Sequence, residues 1–308
     1  MNGFENHAGF NITSTKLQVV EVTGESGKII LSNLSEVFFN IPLDFVKDKE
    51  TILLAKLQSA YDELKISSQL ISKTISVALP IKLFYIVQLP FDNSLLYWDL
   101  LEEFRWELSV LFPHIQKDEL SIQFFEIEKN MYITKNNAIV SAIPRKYIEL
   151  IAKFCKSNEL KLRFIDSAHF AAERSVILSD KAVPRVLTLS LHISENSTSV
   201  LYALDFKLIY TNVCSTKSEK EIITFIEEEL SKETAHKINR KFISAAYISG
   251  ENVTTELKHK LEYSAGIKFS KFNPFFKIDS ESTVENKKIP AETFNSFAPA
   301  AGIAYRTD

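Results

Sequence analysis

Glycine is nearly missing. The chain has 7 glycines in 308 residues, where average usage near 7% would give roughly 22. Glycine supplies positive φ and lets backbone approach a ligand closely, so the shortage weighs against several glycine-built phosphate loops. The chain is also rich in Lys, Asn, Ile and Phe; a genomic composition bias would deplete glycine too, so what matters is which glycines are absent. Cysteine is scarce as well. Cys155 and Cys214 stand alone, without a CxxC or a histidine neighbour, which excludes a disulfide framework and a thiolate metal site and fits a reducing cytosol. A net charge of −3 leaves no basic field for nucleic acid. No apolar run approaches the ~20 residues that span a bilayer. The stretch Met1–Gly9, with His7, is polar and reads as neither signal peptide nor anchor. Direct membrane insertion is not expected, and any membrane role has to come through a partner.

What is present belongs to a folded, soluble chain: 45% hydrophobic and 24% charged residues, at a length that suggests two domains or one with a large insert. Residues 9–41 read as strands, with Leu17, Val19, Val20 and Val22 in one run, a turn at Gly24–Gly27, a return through Ile29–Leu31, and a third strand at 37–41. Leu54, Leu57, Tyr61 and Leu64 make a helical stripe. Residues 73–79 and 83–89 are β-branched runs closed by Pro80 and Pro90. A helix follows with Tyr97, Leu101, Phe104, Leu108 and Leu111 on one face, capped by Asn93 or Ser94 and stopped by Pro113. Strands are expected at 121–127, 131–134 and 138–143, a helix from Pro144 to about Ser157, and a strand at 160–165. Cys155 shares an apolar helix face with Ile148, Ile151 and Ala152 and reads as a buried, inert thiol. Asp180–Pro184 is a polar break and the expected domain boundary. Beyond it come a meander (185–193, 197–204, 206–213), a charged helix over 218–237, a strand at 242–248 ending in Ser249-Gly250, and a helix with Val253, Leu257 and Leu261. Residues 279–289 are polar and expected to be mobile. The order strand, hairpin, strand, helix thus occurs twice, around a smaller α/β unit at roughly 76–165.

Several segments carry a resemblance in a fixed order. Gly9-Phe10-Asn11-Ile12-Thr13-Ser14-Thr15-Lys16 followed by Leu17–Val22, Leu79-Pro80 and Leu89-Pro90 with the helix after them, Phe164-Ile165-Asp166 with Arg174, Asn273-Pro274-Phe275, and Ala300–Arg306 together resemble the actin-like, PilM-type pilus-assembly (competence) proteins, relatives of the FtsA branch. The resemblance implies an α/β, actin-like (RNase H-like) two-lobed fold with an inserted small α/β subdomain: residues 1–75 and 160–180 as the first lobe, 76–159 as the insert, and 181–308 as the second lobe.

It also implies an ATP site with two phosphate loops and an adenosine-side turn. The matching positions are Asn11, Thr13, Ser14, Thr15, Lys16, Ser194, Thr198, Gly250 and Glu251. In the family the first loop carries a metal-directing aspartate and a glycine; here they are Asn11 and Thr13. Asn11 offers no charge to Mg²⁺, which prefers hard anionic oxygens, and Thr13 puts a branched side chain where amides should line a cradle. A lysine frequent in the pilus proteins is Gln18. In the second loop the acidic or amide position is His192 and the glycine is Ser194, and Glu195 adds repulsive charge. Phosphoryl transfer rests on positioning and charge stabilisation, so these changes imply a non-catalytic protein with no cofactor. ATP and Mg²⁺ remain the alternative, in a nucleotide-binding ATPase or filament former of the FtsA type.

Other conspicuous residues have plainer readings. His192 and His169 read as structural, the run Glu227–Glu229 as a solvated helix face, and Trp98 and Trp106 as core or as interface anchors. By resemblance, the chain is a cytoplasmic scaffold, peripheral to the inner membrane, that binds the cytoplasmic tail of a bitopic inner-membrane pilus or secretion protein. The resemblance also implies contact with a motor ATPase and allows a homo-oligomer.

Overall fold

The computed structural model describes residues 6–25, 28–115, 119–179, 186–231, 238–280, 283–284 and 289–306. The expected boundary at 180–184, turn residues 26–27, the last part of the 218–237 helix, and 281–282 and 285–288 of the polar stretch lie outside the described residues.

In chain order the elements are β1 (His7–Ile12), β2 (Lys16–Glu25), β3 (Lys28–Phe38), α1 (Glu50–Ser67), β4 (Thr74–Leu79), β5 (Tyr85–Pro90), α2 (Tyr97–Leu111), β6 (Leu120–Ile127), β7 (Asn137–Pro144), α3 (Arg145–Ser157), β8 (Lys161–Ser167) and α4 (Ala168–Ser179). There follow β9 (Leu187–Ile193), β10 (Ser197–Leu204), β11 (Lys207–Ser215), α5 (Glu219–Ser231), β12 (Ile243–Gly250), α6 (Thr255–Ala265), β13 (Ser270–Lys271) and α7 (Ala298–Ala304).

Two five-stranded sheets share one plan. The first has the order β3-β2-β1-β4-β8 and the second β11-β10-β9-β12-β13. In each, an antiparallel meander supplies three strands and two parallel crossovers add the rest. Every residue of β1 (HAGFNI) and of β9 (LTLSLHI) is buried, as central strands covered on both faces must be. On one face of the first sheet, Leu53, Leu57 and Leu64 of α1 pack beside Leu150, Ile151 and Phe154 of α3. On the second sheet, α5 and α6 supply Ile222, Phe225, Ile226, Leu257 and Leu261 to one core. The third sheet, β5-β7-β6, is covered by the buried ridge Leu100, Phe104 and Leu108 of α2. Cys155 is buried, and burial pushes its thiol up to about 12, the state of an unreactive thiol.

α7 and α4 pack on each other, and α7 also covers β1, β2 and β4. The contact surface is made of small residues: Ala171, Ala172 and Ser175 on one helix, Ala298 and Gly302 on the other. A Cβ on Gly302 would lie 1.7 Å from the Ala171 carbonyl oxygen, so only glycine fits this approach.

The structure corrects several expectations. Residues 76–79 belong to β4 of the first sheet and not to the insert. α3, within the expected insert 76–159, packs in the first-lobe core. Residues 298–304, expected in the second lobe, cover the first sheet; a run of small apolar residues has no stripe that would reveal its partner. The return strand and the third strand of 9–41 are the one strand β3, ending at Phe38, while β1 begins at His7 inside the segment read as a polar terminus. No strand forms at 131–134, because Asn130 Oδ1 accepts from the amides of Tyr132 (2.8 Å) and Ile133 (3.0 Å) and closes a turn. Nor do Asn93 or Ser94 cap α2, whose N-cap is Leu96 without a side-chain bond.

Candidate functional site

Strand pairing brings three turns to the same place: residues 13–15 between β1 and β2, residues 194–196 between β9 and β10, and Gly250-Glu251 at the end of β12. Asn11, Thr13, Ser14, Ser194 and Glu251, all anticipated from the sequence, line one cavity together with His192 and Ser296. Its volume is only about 40 Å³. A water fills about 30 Å³ of liquid, and sites for drug-sized ligands run to about 300–1,000 Å³. The three turns therefore meet, and side chains fill the space between them.

The chemistry of each turn explains the filling. Thr13 Oγ1 accepts from the amides of Thr15 (3.2 Å) and Lys16 (3.1 Å), and the Thr13 amide donates to the Lys16 carbonyl (3.0 Å). Amides that would face a phosphate are bonded to the loop's own hydroxyl. Thr13→Ala should cost about 1 kcal/mol in denaturant unfolding, the usual worth of a side-chain cap on orphan amides. The second turn closes in the same way: the Ser194 amide (2.9 Å) and hydroxyl (3.0 Å) both donate to the Ser197 carbonyl.

The other anticipated positions do not reach the cavity. Lys16 pairs with Glu36 at 2.9 Å. The Thr198 hydroxyl bonds that of Thr216 at 2.8 Å. Gly250 has φ +119°, and a Cβ there would lie 1.9 Å from the Ile193 carbonyl oxygen; this glycine serves the approach of β12 to β9 rather than a ligand. Thr15 contributes its amide to Thr13.

Carboxylates outnumber cations at the cavity: Glu195 and Glu251 line it with Lys82, while Lys16 is paired with Glu36. Glu251, Glu195 and Glu36 share the neighbourhood with Lys16. Burial raises the pKa of Glu251, Lys16 and a Thr13 hydrogen bond lower it, and the other two carboxylates raise it further. One oxygen each of Glu251 and Asn11 has no partner. Beneath the second turn, His192 and His169 stack at 5.7 Å, bonded to Ser249 and Ser199. Burial holds His192 down at about 4 and His169 well below the usual range. Two neutral imidazoles supply no cation here. The residues present do not fit ATP with Mg²⁺.

Sequence reasoning missed the strap at 291–297. Asn295 Nδ2 donates to the Gly250 carbonyl (2.8 Å), and Ser296 Oγ accepts from Gln18 Nε2 (3.0 Å). Gln18 in turn accepts from Asn11 Nδ2 at 3.0 Å. A polar chain thus ties the first lobe to the second beside the filled cavity. No motif announces Asn295 or Ser296, since a 3₁₀ turn has no amphipathic period.

Two larger grooves take part of their lining from β6, whose outer edge has no strand partner among the described residues. One groove, of about 240 Å³, runs between Ser121 and Gln123 of β6 and Leu162–Asp166 around β8. The other, of about 620 Å³, runs between Glu126, Phe170 and Glu173 on one side and Leu204–Ile209 at the β10–β11 hairpin on the other. Phe125 and Phe170 line both grooves, their rings edge to face at 6.2 Å. Glu128 and Lys207 pair at 2.5 Å beside the larger one. Asp166 sits between Arg306 (3.4 Å) and Arg174 (4.0 Å). Glu173 is buried, and neither carboxylate oxygen has an aligned partner. Burial lifts it to about 7, against the nearby Ser190 hydroxyl, which favours the ionised form without making a well-aligned bond.

Among solved structures, a PilM-PilN type IV pilus biogenesis complex matches over 97% of this chain and 97% of its own, with 17% identity and a TM-score of 0.78. A Bacteroides thetaiotaomicron protein with an actin-like ATPase fold and unknown function matches at TM-score 0.55, with 12% identity over 91% of this chain and 95% of its own. The fold is the actin-like ATPase fold. An inorganic polyphosphate/ATP-glucomannokinase from Arthrobacter shares this actin-like plan more distantly, with 8% identity, 98% and 97% coverage and a TM-score of 0.50. No protein-family profile and no curated protein matches the sequence. Among the described residues, no helix is long and apolar enough to cross a membrane, and no cluster of three metal-ligating side chains occurs.

Proposed function

We propose that this chain is a non-catalytic scaffold that binds the cytoplasmic peptide of an inner-membrane partner in a pilus or secretion machine, working in the cytoplasm and reaching the membrane through that partner. The observation that carries the reading is the contrast between the two sites. The cavity between the three turns is filled to about 40 Å³ and closed by its own hydroxyls, while grooves of about 240 and 620 Å³ are lined in part by β6, whose outer edge is unpaired among the described residues. An extended peptide added to an exposed strand edge gains main-chain hydrogen bonds and pockets for alternate side chains. The fold likeness to a PilM-PilN complex supports the same reading. Binding a motor ATPase and self-association belong to the proposal as further roles of such a scaffold.

Two titrations test it. Calorimetry with ATP and Mg²⁺ is expected to give no binding heat. Tail peptides of bitopic pilus and secretion proteins are expected to include at least one that binds, with Phe125→Glu weakening it tenfold or more, as loss of an aromatic anchor does. Micromolar ATP binding that Ser14→Ala abolishes would restore the ATPase reading. If no tail binds the folded protein, the scaffold reading fails.

A further inference from the structure

α2 carries two ridges at four-residue spacing. The inner one, Leu100, Phe104 and Leu108, is buried on the third sheet. The outer one is Trp98, Glu102, Trp106 and Val110. Trp98 is 74% exposed, Trp106 59% and Val110 56%, and the Glu102 side chain is 73% exposed. Trp is the side chain whose exposure leaves the most apolar area in water, and two on one ridge with a carboxylate between them is not the composition of a solvated helix face. A row of residues at i, i+4, i+8 is the ridge that interlocks with the groove of a second helix.

Charge selects the occupant. Asp99, Glu102, Glu103 and Glu107 lie on the same helix. Its only cation, Arg105, faces Glu102 at 3.4 Å and reaches back to the Leu120 carbonyl. A second copy of this face would set carboxylate against carboxylate, and an anionic lipid surface would meet the same repulsion. A Lys or Arg seated beside either indole would gain cation–π contact, with the Glu102 carboxylate one turn away from each.

We propose that the outer ridge of α2 is a docking surface for a basic amphipathic helix of a partner protein, seated by Trp98 and Trp106 with a cationic side chain over Glu102. This surface lies on α2, apart from the grooves beside β6, and does not depend on them.

The chain's two tryptophans are these two, so its indole fluorescence reports the ridge alone. The probes are a Leu/Lys amphipathic helical peptide of about 18 residues, long enough to hold a helix, and its Leu/Glu counterpart. The Leu/Lys peptide is expected to shift the emission to the blue, saturably and less so at high salt, and the Leu/Glu peptide to leave it unchanged. Glu102→Lys, a surface change that leaves the fold intact, should weaken the Leu/Lys peptide about tenfold and favour the Leu/Glu one. Trp98→Ala, read through Trp106, should weaken binding about tenfold or more. The proposal is overturned if neither peptide moves the emission, if both move it equally, if Glu102→Lys changes nothing, or if anionic vesicles or raised protein concentration alone produce the shift.

Discussion

Gly302→Ala is expected to destabilise the protein by about 3 kcal/mol or more. Overpacking a core usually costs about 1–3 kcal/mol because side chains can give way, and here nothing soft is in reach. The added Cβ would meet the Ala171 carbonyl oxygen at 1.7 Å, its carbon at 2.7 Å and the Ser175 amide at 3.1 Å, all of them backbone of α4. Relief requires α7 to lift, which opens the contact between Ile303, Ala171 and Ala78. In a chain of 308 residues the melting temperature should fall by about 5 °C or more. Gly266→Ala gives the contrast: the position caps α6 at φ +65°, with only the Arg240 guanidinium at 3.9 Å, so the cost should be about 1 kcal/mol. Equal losses at the two sites would show that close helix packing does not hold α7.

Glu173→Gln should change stability in a way that depends strongly on pH. Burial raises the native carboxyl to about 7 from an ordinary 4.5. Between these values the native protein keeps a proton that the unfolded chain releases, so stability contributed by this group is present in acid and lost as pH rises. At 1.36 kcal/mol per pH unit, the variant should match the parent near pH 4.5 and exceed it by about 3 kcal/mol at pH 8. The histidines act with the opposite sign. His192, held at about 4, stays neutral in the native protein while the unfolded chain takes up a proton below about 6.5, so both proteins should weaken together toward acid. Denaturant midpoints across pH 4.5–8 read the difference between the two chains. A constant offset would mean that Glu173 is ionised throughout.

Periodicity made most elements legible in the sequence. β4 and β5 show as β-branched runs, and α1, α2 and α3 as stripes. What it cannot report is which sheet a strand joins, so 76–79 reads as part of the insert and belongs to the first sheet. It also fails where local chemistry overrides propensity: Met131–Thr134 reads as a strand until the Asn130 side chain takes the amides. The candidate site was legible in position and partly in character. Asn11, Thr13 and Ser194 are singled out by sequence alone, and the structure brings them to one cavity. That Thr13 and Ser194 bond within their own loops is a matter of hydroxyl direction, which no spacing encodes. Gly250 matches a position of the adenosine-side turn in the sequence, and the close approach to Ile193 gives it a packing task.

The placement of α7 has a consequence in time. His7 Nδ1 bonds the Ala304 carbonyl at 2.9 Å across 297 positions of sequence, and the sheet face that α7 covers is complete once residues 298–304 exist. At about 5–20 residues per second, a ribosome reaches them roughly 15–60 s after making β1. Through that interval the emerging first sheet presents Val20, Val22 and Leu34 without their cover. The nascent chain should therefore be a chaperone client until synthesis of this helix, and puromycin-released fragments lacking it should aggregate.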